Sequence, residues 1–83
     1  MTMLQIEKDS PQTIEEARRK FILLKQNIER VKSDPAKRHG FAMYTLGYLA
    51  ALLIHRLVSQ EVHDQLNREL DATLEEIKKD LGL

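Results

Sequence analysis

Fourteen consecutive residues, Phe41 to Ile54, carry no charge in a chain of 83 residues of which 31% are charged. The stretch reads Phe-Ala-Met-Tyr-Thr-Leu-Gly-Tyr-Leu-Ala-Ala-Leu-Leu-Ile. It is too short for a bilayer, which takes about twenty apolar residues, and its length suits a buried helix instead. Wound as a helix it is apolar or weakly polar on every side, and a helix of that kind is covered on every side. A chain this small has few elements with which to cover it, because small domains bury the smallest fraction of their surface. Two neighbouring helices leave one side of residues 41–54 bare, which predicts a second chain as the cover.

The rest of the chain supplies those two neighbours. Ser10-Pro11 places a hydroxyl acceptor at a helix N-cap and a fixed φ at the first helical position. Thr13-Ile-Glu-Glu16 offers a competing capping box. The apolar positions that follow are Ile14, Ala17, Phe21, Leu24, Ile28 and Val31, alternating three and four residues apart as a seam against another helix. Ile22 and Leu23 widen it and predict contact with two neighbours at that level. Ser33-Asp34-Pro35 ends this helix and starts the next, since the residue before proline is pushed out of helical geometry. After the uncharged stretch, Val58-Ser59-Gln60-Glu61 carries a serine cap and an acidic first turn. A tight turn near residues 57–59 follows, although no glycine or proline enforces it. Val62, Leu66, Leu70, Leu74, Ile77 and Leu81 form one stripe of a third helix, closed by Gly82 and Leu83 in a Schellman turn.

The predicted fold is therefore all-α: an up-down-up three-helix bundle with helices at about 11–33, 35–57 and 60–81, pairing into a two-fold homodimer. Residues 11–83 form the single domain. Residues 1–10 are read as an amino-terminal arm, in which Met3, Leu4 and Ile6 alternate as in a short strand. The amino terminus has no basic segment followed by a long apolar run, so no secretory signal is expected and the cytoplasm is the expected compartment.

Net charge is zero, yet charge is segregated along the chain. Residues 1–16 carry −3, with Lys8 against four acids. Residues 17–56 carry +7, with nine basic groups against Glu29 and Asp34. Residues 57–83 carry −4, with three basic groups against seven acids. Two readings follow. Arg30, Lys32, Lys37, Arg38 and His39 can form a basic surface that grips phosphate or an acidic partner. Alternatively, the cationic first helix lies against the anionic third one. The second reading explains the same segregation without a ligand and is preferred.

No catalytic, cofactor-binding or metal-ligating set is expected. The chain has no cysteine, which removes thiol catalysis and thiolate metal sites. His39, His55 and His63 are sixteen and eight residues apart, never at the four-residue spacing that chelates from one helix. Only His55 and His63, with Asp64, can converge across the second turn. No phosphate loop or dinucleotide fingerprint is present. Glu75 and Glu76 are adjacent and diverge around the helix, so they read as a solvated face.

What remains is an interaction protein. Phe41, Tyr44, Tyr48 and Leu52 share one face of the second helix and are the expected partner-binding residues, with Arg18, Arg19, Lys37 and Arg38 as an electrostatic rim. Met43, Gly47, Ala50 and Ile54 line the opposite side, and Ala36, Gly40, Gly47 and Ala51 form a ridge of small residues suited to close approach. The expected function is a non-catalytic, regulatory or inhibitory helical protein that binds a partner protein, in the manner of small bacterial and phage regulators. The alternative is a nucleic-acid-associated regulator using the basic surface of residues 17–56.

Overall fold

The computed structural model describes residues 8–82 and is all-helical there, with no strand among the described residues. Three helices follow in order: α1 (Pro11–Arg30), α2 (Pro35–Ile54) and α3 (Gln60–Asp80). Arg18 meets Glu69 and Lys32 meets Asp80, so α1 and α3 run parallel, with α2 returning between them. This is the up-down-up bundle that the sequence predicts. The strand-like reading of Met3, Leu4 and Ile6 lies outside the described residues, as does the role given to Leu83.

All three predicted N-caps form. Ser10 Oγ accepts from the Thr13 amide at 3.2 Å, Asp34 Oδ1 from the Lys37 amide at 3.2 Å, and Ser59 Oγ from the Val62 amide at 3.2 Å. Each satisfies one of the free amides that a helix start leaves over. Ser10 wins over the competing box at Thr13, whose hydroxyl accepts a 2.7 Å bond from Ser10 Oγ.

The helix ends fall earlier than the sequence suggests. α1 stops at Arg30, not 33, because the Val31 amide bonds both Asn27 and Ile28 carbonyls and the chain then turns through Asp34 N–H to Val31 O at 2.9 Å. α2 stops at Ile54, not 57, in a Schellman turn. The Leu57 amide reaches back to Leu52 O at 2.9 Å, and the Arg56 amide to Leu53 O at 3.0 Å. The left-handed position of that motif is Arg56, at φ 58°, where glycine is usual. At the end of α3, Gly82 takes the same place at φ 74°.

A second left-handed residue other than glycine, Asp9 at φ 60°, fastens the start of α1 to the α2–α3 turn. Its amide donates to Leu57 O at 3.0 Å, and its carboxylate accepts from the Ser59 amide at 2.7 Å. Aspartate tolerates this backbone better than most residues because its short side chain bonds locally. Val58, fully buried, lies in the same turn.

The core follows the predicted seams. Ala17, Phe21, Leu24 and Ile28 of α1 are buried, as are Leu66, Leu70 and Ile77 of α3. From α2 come Ala42, Leu49 and Leu52, with Thr45, whose hydroxyl donates to Phe41 O at 2.8 Å. α1 does touch two neighbours, yet Ile22 and Leu23 do not widen its buried seam: both are more than half exposed. They stand outside the four-residue stripe of α1 that the two other helices occupy.

Candidate partner-binding surface

α2 is not covered on all sides. Ala42, Thr45, Leu49 and Leu52 face inward, while Met43, Tyr44 and Ile54 are 52%, 59% and 73% exposed. Gly40 and Gly47 are also exposed, and a Cβ built on either meets no heavy atom within 4 Å. The close approach expected of the small-residue ridge therefore does not occur within the chain. The ridge faces outward.

Of the four expected contact residues, Leu52 is withdrawn. It is 7% exposed and belongs to the core. The reason is geometric: the Phe41–Leu52 face turns toward α1, and its inner edge closes against the bundle. Phe41 and Tyr48 are half-buried and pack against the core, leaving Tyr44 as the exposed aromatic of the set. Burial raises the Tyr48 phenol above its ordinary range, because the phenolate is the harder form to desolvate, and the Glu16 carboxylate adds to this.

Between α1 and α2 runs an open groove of about 470 Å³, lined by Lys20, Leu24, Asn27, Lys37, Gly40, Phe41 and Tyr44. Its floor is apolar and aromatic, and two lysines stand along it. Gly40 widens it, since any side chain there would stand in the opening. Sequence reasoning named Phe41, Tyr44 and Lys37 but missed Lys20 and Asn27. Both are polar residues on the outer edge of the α1 seam, and only the docking of α2 beside them brings them to the groove.

The electrostatic rim divides. Arg18 makes a bidentate bridge to Glu69, at 3.0 and 2.9 Å, which joins α1 to α3. The pair raises the Arg18 pKa and lowers that of Glu69, chiefly through these hydrogen bonds. Arg19 pairs with Glu15 one turn earlier on its own helix, at 3.0 Å. Arg38 donates to Lys32 O at 2.6 Å and so ties the first turn together. Lys32 also reaches Asp80 at 3.6 Å. The α1–α3 pairs match the structural reading of the charge segregation. Lys37 lines the groove.

The histidines do not assemble. His55 is the exposed C-cap of α2, while His63 lies on α3 with its Nδ1 3.3 Å from Asp64 Oδ1. Asp64 is held below the ordinary carboxylate range, first by its bond from Gln60 and then by His63. No group of three or more His, Asp or Glu side chains able to hold a metal occurs among the described residues, and no helix there is long and apolar enough to cross a membrane. No family model matches the sequence, and neither a curated protein nor a solved structure does so.

Proposed function

We propose that this protein is a non-catalytic interaction module, a cytoplasmic regulatory or inhibitory helical protein that works as a two-fold pair and binds a partner protein. One observation carries the reading. The large apolar residues that stand more than half exposed are Ile22, Leu23, Met43, Tyr44 and Ile54, all on α1 and α2. Of these, Tyr44 lines the α1–α2 groove, and a large exposed apolar side chain beside a groove is a feature of contact surfaces. The partner is held at the α1–α2 groove, with Tyr44 as the aromatic anchor and Lys20 and Lys37 selecting an acidic neighbour for it.

The test is capture from the native host by the purified chain, run beside a Tyr44→Ala/Lys37→Glu double variant. Both positions are exposed, so the variant keeps its helical circular dichroism. Loss of a captured protein by about tenfold or more is expected. Identical capture by the two baits would overturn the reading. The nucleic-acid alternative draws on a basic surface whose Arg18, Lys32 and Arg38 are engaged within the chain. Binding to duplex DNA that weakens steeply with salt would favour it instead.

A further inference from the structure

The outward face of α2 has a regular pattern that meets the groove only at Gly40. Ala36, Gly40, Met43, Gly47, Ala50 and Ile54 alternate four and three residues apart without a break, the spacing of a helix-packing seam. None of the six is buried. The seam carries no charge, so a charged partner surface has nothing to meet there.

The order of large and small residues along this face identifies its cover. In an antiparallel helix pair crossing at Gly47, a residue n places before 47 meets the partner's residue n places after it. Met43 then meets the partner's Ala51, which flanks the seam, Ile54 meets the partner's Gly40, and Gly47 crosses the partner's Gly47. Each bulky side chain faces a small one, which is how facing positions fill space without voids. Parallel pairing instead sets Met43 on Met43 and Ile54 on Ile54 while leaving the glycines opposite each other. We propose that a second copy of this chain covers α2, antiparallel and centred on Gly47. The inference deepens the two-fold pairing named above and rests on it; by the same rule Ala50 meets the partner's Tyr44, so the pair borders the groove at Gly40 and Tyr44.

Two further points agree. α2 has 20 residues and is therefore roughly 30 Å long. Two such helices in contact along their length bury on the order of 1,000 Å² in total, the lower bound for a specific interface. Antiparallel pairing also sets the positive start of each α2 beside the negative end of the other. At the rims, Arg38 approaches the partner's Arg56, a like-charge pair whose repulsion added salt screens. DNA binding responds to salt in the opposite direction.

Gly47 gives a clean test, because a side chain there meets nothing within the monomer. Sedimentation equilibrium of the full chain, from about 1 to about 300 µM, should show a species of twice 9.7 kDa that Gly47→Glu converts to 9.7 kDa with helix content unchanged or higher. Orientation is read from single cysteines, which the chain otherwise lacks. A mixture of Met43→Cys and Ala51→Cys proteins should cross-link far more than either does alone. A wild-type chain that stays at 9.7 kDa throughout, a Gly47→Glu chain that still pairs, or preferential Met43→Cys self-cross-linking would each overturn the proposal. A monomer that still captures its partner through Tyr44 would overturn the pairing and spare the groove.

Discussion

Arg56 holds a backbone conformation that costs an ordinary L-residue roughly 1–2 kcal/mol, and it does so because the Schellman turn after α2 requires a left-handed residue there. Glycine adopts the same φ without a Cβ penalty, although it releases more chain entropy in the unfolded state. Relief outweighs that loss. Arg56→Gly is expected to be about 0.5–1 kcal/mol more stable than the wild type, and Arg56→Val less stable than it, both read from thermal melts. This position also shows why the turn was hard to read. The Ser59 cap was legible, since serine followed by Gln-Glu is a helix start by side-chain chemistry alone. The stop at Ile54 was not, because an arginine gives no local sign that it takes positive φ. The same limit applies to Asp9, whose two bonds to Leu57 and Ser59 join residues about fifty positions apart.

At the scale of the helix, legibility depended on contrast. α1 and α3 each carry one apolar stripe against charged surroundings, and their inward faces could be named residue by residue: Phe21 and Ile28 on one, Leu66 and Leu70 on the other. α2 has little contrast. Its faces are all apolar, so the pattern predicts burial without saying which side receives α1, and Leu52 was assigned to a partner-facing side although it is buried in the core. The α1–α3 contact adds a testable ion pair. Glu69 is held below its ordinary pKa by Arg18, so the folded state binds its proton less readily than the unfolded state does. Its stabilisation is present above the unfolded pKa and is lost as pH falls through the lower, folded value. Arg18 is nearly half exposed, which limits the pair to under about 1 kcal/mol. Glu69→Gln is accordingly expected to cost a few tenths of a kcal/mol to about 1 kcal/mol at neutral pH and nothing in strong acid. Urea melts at the two pH values measure the difference.

For the whole molecule, the margin is narrow. A domain of 83 residues is stable by roughly 4–12 kcal/mol at the usual 0.05–0.15 kcal/mol per residue. Phe21 is 1% exposed at the centre of the cluster joining all three helices, and Lys25 Nζ lies 4.7 Å from its ring centroid. Phe21→Ala is expected to cost about 3–5 kcal/mol, enough to unfold a chain near the lower end of that range. Loss of helical signal at ambient temperature, or a melting temperature lowered by tens of degrees, is the measurable result. If the second copy seals α2, the same variant should recover helicity at high protein concentration, because association favours the folded state by mass action.

The clasp at Asp9 gives the bundle two unlike poles. Ser10 and the α2–α3 turn share one of them, tied by Asp9. The other gathers the α1–α2 turn and the carboxyl end of α3, where Lys32 reaches Asp80. Lys37 and Gly40 place the groove mouth toward that second pole. A fluorophore on Lys8 therefore reports on the clasp, from the pole away from the groove mouth, whereas one at Asp80 sits at the pole toward which the mouth opens. The choice of residue for a label is in this protein a choice of which pole it watches.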